Sequence, residues 1–278
     1  MPFTISHIAA VLPLARAPLT GSALAIGSMS PDLGYFAALR PLESEFTHSW
    51  AGLVTVDLAV SLVLLLVFHA FVVPAVLALA PGFVRERLAA VAEPPKADLW
   101  VVVSVLVGGM THLLLDSFTH SDGLMVALIP ALRGEVSPGV PTTHFLQMAL
   151  TGVGLAALAL WSVWWLVRAR PRPVPGRFAP ARRPWLPVLA VVVVSGALAV
   201  GNALRGITGT GEEPVLVGVS RVMAAGVADP TPGQVHAGLV FASIGAVTGA
   251  FLALVGYGVV HQRRMAVTSG GRLGERSP

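Results

Sequence analysis

His112 and Asp116 stand four residues apart in the stretch "THLLLDSFTHSDG". On a helix that spacing turns both side chains onto one face. An imidazole nitrogen and a carboxylate oxygen held this way are half of a site for a divalent cation. His120 extends the stripe by another four residues. On a straight helix it would lie about 12 Å along the axis from His112, too far to share one ion. Either the helix ends near Ser117, with Gly123 as terminator, and His120 folds back, or the stripe serves two ions. His7, Asp32 in "GSMSPDL", His48 and His144 are the further candidate donors, giving seven N and O ligands from four separate segments.

Five of the eight histidines follow a hydroxyl residue: Ser6-His7, Thr47-His48, Thr111-His112, Thr119-His120 and Thr143-His144. "FTHS" itself occurs twice, at Phe46–Ser49 and Phe118–Ser121. These hydroxyls are expected to orient the imidazoles through hydrogen bonds from outside the ligand set. The chain has no cysteine, which excludes thiolate sites and disulfides. Zinc bound by His and Asp is therefore the expected metal, as one ion or two, with manganese, iron and magnesium open. A cation with an open position brings the pKa of a bound water near neutrality. Asp32 and Asp116 are the carboxylates expected to orient or deprotonate it, and hydrolysis is the resulting chemistry.

The elements that must position these residues are membrane helices. The chain of 278 residues is 55% hydrophobic and only 12% charged, against about 25% charge in soluble domains. No soluble fold of this size buries so much apolar surface, so the bilayer is part of the solvent. The spacing predicts an all-α, polytopic bundle with five spans, near Trp50–Val73, Leu99–Phe118, Phe145–Val167, Trp185–Leu204 and Val235–Val260. The first 49 residues are apolar but broken by Pro13, Pro18 and Pro31, which fits short interfacial helices. Four segments follow: residues 1–168 carrying the site, a Pro/Arg-rich exposed linker over 169–184, two further spans within 185–262, and a disordered tail over 263–278.

Arginines set the orientation. Arg85, Arg87 and Lys96, the linker arginines from Arg170 to Arg183, and Arg263 with Arg264 alternate correctly to be cytoplasmic together. This distribution follows topology and disfavours a nucleic-acid partner. His7, His48, His112, His120 and His144 then gather at the extracytoplasmic face, whereas His69 lies about 30 Å from His48 along the first span. His261 is also on the inner side, and His236 is outward without a hydroxyl before it. Asp57, nine residues from His48 and opposite it on the helix wheel, reads as a structural hydrogen-bonding group. Arg205 and Arg221 face outward, where an anionic group such as phosphate is the alternative to a topological role. Trp161, Trp164 and Trp165 read as an aromatic belt.

At "MPFTISHIAAVLP", "IGSMSPDLGYF", "FTHSWAGL" and "GGMTHLLLDSFTH" the chain resembles a bacterial integral-membrane family, the domain of unknown function 4184. The resemblance spans roughly residues 1–260, with its specific motifs in the first 125. It implies kinship with membrane-bound metal-dependent hydrolases, and more distantly with all-helical zinc-dependent phospholipase C and nucleases. Matched residue by residue, it points to His7, Asp32, His48, His112, Asp116 and His120, with the shorter "TTHF" adding His144. The expectation is an integral protein of the bacterial cytoplasmic membrane, hydrolysing a lipid-like or membrane-presented ester, a phosphoester included, among membrane lipids. The same site used as a Lewis acid for cyclisation or isomerisation of a lipophilic substrate is the alternative, and a transporter or metal-handling protein is the rival from another class.

Overall fold

A computed structural model describes residues 3–37, 44–209 and 230–274. Among the described residues, five helices are long and apolar enough to cross a membrane: Trp50–Leu79, Leu99–Thr119, Thr142–Arg168, Trp185–Thr208 and Pro232–Ala266. The described residues are helical apart from loops and a two-stranded hairpin, Glu135–Ser137 with Val140–Pro141, placed just before the third span. The short apolar helix Thr4–Leu14 and the helix Gly21–Gly27 precede the spans.

The chain divides into two compact units. The first contains residues 1–34, 38–66 and 93–170, and so holds the N-terminal segment, the start of the first span, and the second and third spans. Its tightest packing has a sequence cause. Gly27 and Gly108 let the Gly21–Gly27 helix lie backbone to backbone against the second span. A Cβ on Gly108 would strike the Leu24 carbonyl and come within 2.7 Å of the Ser28 nitrogen. Leu24, Ala23 and Val105 are fully buried in that contact. The third span secures the extreme N-terminus: Thr151 Oγ1 accepts the Phe3 N–H at 3.0 Å, and Gly154 passes 2.8 Å from the Ser6 carbonyl when a Cβ is added.

The second unit takes residues 35–37, 67–92 and 171–278. There the fourth and fifth spans meet through Gly206, Gly245 and Gly249, each against partner backbone. The first span runs past the expected Val73 to Leu79, although Pro74 interrupts it. A π-helical turn at Phe68–Val72 explains this, because such a turn already lacks the i→i−4 bonds a proline would break. Arg85 then closes the end, its Nε donating to the Leu77 carbonyl at 2.9 Å and its terminal nitrogen to the Ala80 carbonyl at 2.7 Å.

Two expectations change. The linker is not uniformly exposed: Phe178 is 4% exposed and packs with Leu77 and Ala92, because one aromatic in a Pro-rich strand is enough to pin it. The fifth span does not end near Val260. Its helix continues to Gly274, with no helix breaker between Arg263 and Val267, and residues 275–278 lie outside the described residues. His261 is buried against Tyr257, with ring centroids 5.7 Å apart.

Candidate metal centre

Each member of the site reaches it for a local reason. Asp32 ends a single 3-10 turn, Ser30–Asp32, started by Pro31, and is fully buried. Its Oδ2 accepts the Thr4 hydroxyl at 2.7 Å, which leaves Oδ1 facing inward. His48 sits in the turn before Ser49, whose side chain caps the first span by accepting the Gly52 N–H at 3.0 Å. Gly52 makes that turn possible, since a Cβ there would strike the Phe46 carbonyl and approach the Thr47 Cα to 2.9 Å. His112 and Asp116 project from one face of the second span, as their spacing requires.

The four side chains form one group. His48 Nε2 lies 3.4 Å from Asp32 Oδ1 and 3.5 Å from Asp116 Oδ2. His112 Nε2 lies 3.6 Å from Asp32 Oδ1 and 3.3 Å from Asp116 Oδ2. One ligand atom from each of the four falls within 4.8 Å of the others. Those separations exceed the usual N–H···O range of about 2.7–3.2 Å. They match what donors keep around a shared ion: at about 2.0–2.1 Å from zinc in tetrahedral array, two donors stand about 3.4 Å apart.

The orphaned atoms tell the same story. Asp32 Oδ1, His112 Nε2 and both Asp116 carboxylate oxygens are buried without a hydrogen-bond partner among the described residues. Bare buried polar atoms are costly, so a set aimed at one point calls for a common partner. His112 is also held in the required tautomer. Its Nδ1–H donates to the Ser28 carbonyl at 2.8 Å, so Nε2 offers its lone pair to the centre. A divalent cation fits this donor set of two imidazoles and two carboxylates.

His7 is adjacent but distinct. Its ring stacks on His112 with centroids 4.0 Å apart and an 18° tilt, and its Nε2 is 3.6 Å from Asp116 Oδ1, the other carboxylate oxygen. Burial first, and the neighbouring His112 second, pull its pKa down to about 4, so the ring is neutral at pH 7. His120 caps the second span, where the chain turns extended, and its Nδ1–H donates to the Asp116 carbonyl at 3.0 Å. That nitrogen is 3.8 Å from Asp116 Oδ2, so His120 borders the group without joining the four. His144 is exposed in the first turn of the third span and lies outside the group. It shares a face with Thr151 but sits about 10 Å further toward the helix start.

The hydroxyl-before-histidine pattern has one structural counterpart here. Thr47 Oγ1 donates to the Pro31 carbonyl at 2.8 Å and lies 3.3 Å from His48 Nδ1. Thr111 and Thr119 instead bond carbonyls of their own helix. The decisive outer contacts come from Thr4 and Ser28, which no spacing rule marks. Asp57 is buried in the same unit. A π-helical turn over Leu53–Asp57 alters its position on the wheel, and it is 1% exposed within the field of His48, His112 and Asp32. Arg205 bonds Asn202 Oδ1 at 2.8 Å in the second unit, and Arg221 lies outside the described residues.

Thr4→Val is expected to weaken divalent-ion binding by about 10–100-fold while the fold persists, because it releases Asp32 Oδ2 from its orienting donor. Competition with a chelating dye measures this. Unchanged affinity would show that Asp32 needs no such support.

The chain matches the family described as a domain of unknown function, DUF4184, over residues 1–259. No curated protein and no solved structure matches it. The matched span takes in all four residues of the centre together with His7, and over such a length it shows that the chain belongs to the DUF4184 family.

Proposed function

We propose that the protein is a membrane-embedded, metal-dependent hydrolase acting on a lipid-like or membrane-presented ester. The convergence of Asp32 Oδ1, His48 Nε2, His112 Nε2 and Asp116 Oδ2 on one point carries the reading. A bound divalent cation supplies Lewis acidity toward water and toward an ester oxygen. With no thiol in the chain and this N/O donor set, zinc is the metal of choice.

The chain's own residues do the remainder. Asp32, fixed by Thr4, and Asp116, fixed on the second span, hold the cation and carry the negative charge that retains it. Asp116 turns its second oxygen, Oδ1, toward His7 Nε2 at 3.6 Å. Access is on one side: His112 and Asp32 are fully buried, whereas the His48 and His120 side chains are 21% and 35% exposed. Phe46 and Trp50, beside His48, are exposed at 43% and 67%. An apolar rim next to the open side suits an amphiphile arriving from the bilayer.

The arginine-rich segments favour an extracytoplasmic mouth in a bacterial cytoplasmic membrane. The motifs' resemblance to membrane-bound metal-dependent hydrolases, and distantly to zinc-dependent phospholipase C, supports the same reading. A metal-handling role is the second reading. It is favoured by Asp57 and Ser61, one turn apart on the first span, both buried and each with an oxygen lacking a hydrogen-bond partner among the described residues.

Phosphodiester and carboxylester lipids in mixed micelles test the two. Turnover by zinc-loaded protein, lost on chelation, is expected. No turnover of any ester, together with zinc uptake into proteoliposomes, would replace the hydrolase with a transporter.

A further inference from the structure

A single ion at the four-donor point leaves other buried atoms unsatisfied. Asp116 Oδ1 and both ring nitrogens of His7 have no hydrogen-bond partner among the described residues. His7 is 1% exposed and Asp116 5%, so bulk water does not serve them. His7 Nε2 and Asp116 Oδ1 face each other at 3.6 Å. That is beyond a normal hydrogen bond and close to the separation of about 3.4 Å that two donors keep around one zinc.

The stacking of His7 on His112 settles which side His7 serves. Its ring stacks on that of a first-ion donor, and its Nε2 meets Asp116 Oδ1 outside the four-donor group. Asp116 therefore presents Oδ2 to one group of imidazoles, His48 and His112, and Oδ1 to another, His7.

The geometry points to a second divalent cation held by His7 Nε2 and Asp116 Oδ1, with Asp116 bridging it to the ion of the hydrolytic centre. This rests on the reading above, since it takes the first ion as given. Only two protein donors serve the second position, so an oxygen of a substrate entering past the partly exposed His48 and His120 would complete it. Paired ions about 3.5–4 Å apart clamp the attacking and leaving oxygens of a phosphoryl transfer. The pair suits a phosphoester within the proposed substrate class.

The test is zinc stoichiometry. Metal-free protein purified in detergent is saturated with Zn(II), desalted and analysed by mass spectrometry, wild type beside His7→Gln. Two equivalents in the wild type falling to one in the variant are expected. One equivalent in the wild type, or two in the variant, overturns the second ion while leaving the first. None in the wild type overturns the centre itself. Wild-type protein loaded with Mn(II) gives an independent readout should His7→Gln misfold: an exchange-coupled pair in its electron paramagnetic resonance spectrum is expected, and the signal of isolated ions alone contradicts it.

Discussion

Asp116→Ala strips the ion from the protein and lowers its stability, the largest effect expected of any single side chain in the centre. Asp116 is within 3.8 Å of ring nitrogens of His7, His48, His112 and His120. No other described carboxylate approaches so many. Losing an orienting neighbour outside a ligand set costs about 10–100-fold in affinity, and losing a direct donor costs more. Bound zinc, read by mass spectrometry, falls to background. The melting temperature also stops responding to zinc, whereas in the wild type an excess of 100 times Kd adds about 2.7 kcal/mol. Asp116→Asn separates charge from shape: it keeps the packing and still loses the ion. Retention of zinc by either variant would place the ion elsewhere.

Gly108→Val is expected to damage fold and centre together, although it touches no ligand. A Cβ there meets the Leu24 carbonyl and the Ser28 nitrogen, which are backbone atoms that cannot rotate aside. Overpacking against side chains costs about 1–3 kcal/mol, and an unyielding backbone puts this case at the top of that range or above it. The same shift carries the Ser28 carbonyl away from His112 Nδ1, now at 2.8 Å, and frees the imidazole to change tautomer. Thermal unfolding and zinc titration should therefore fall in step. Gly152→Val is the control, because a Cβ at Gly152 meets nothing within 4 Å. Should Gly108→Val keep its zinc affinity, the Ser28 contact would be unnecessary.

Much of this arrangement can be read directly from the amino acids. Three of the five spans begin at the expected residue, Trp50, Leu99 and Trp185, because an aromatic or a cap marks the change from loop to apolar run. Asp98 caps the second span by accepting from the Trp100 N–H at 3.0 Å. The span ends are less legible, since a helix may outlast the bilayer and Pro74 looks like a stop until the π-turn before it is known.

The centre divides in the same way. The His112–Asp116 pair is local and follows from helical period alone. Asp32 and His48 depend on long-range packing but announce themselves as polar residues inside apolar motifs. Thr4, Ser28 and the Gly27–Gly108 contact were invisible, because nothing in a single chain says which backbone carbonyl will meet which ring. Asp57 was misplaced for a different reason: a five-residue π-turn changes the angular sum on which a helix wheel depends. His144 satisfied the hydroxyl pattern yet lies outside the group, as a pattern of neighbours carries no depth.

The most direct test of the central claim is metal K-edge X-ray absorption on zinc-loaded protein in detergent. A shell of light N and O donors at about 2.0–2.1 Å is expected, with the multiple scattering of imidazole rings. That signature should weaken in His112→Ala, which removes one of the rings. A shell of oxygen alone, or one that His112→Ala leaves unaltered, would mean that the ion sits on the surface and that the four buried side chains do not bind it.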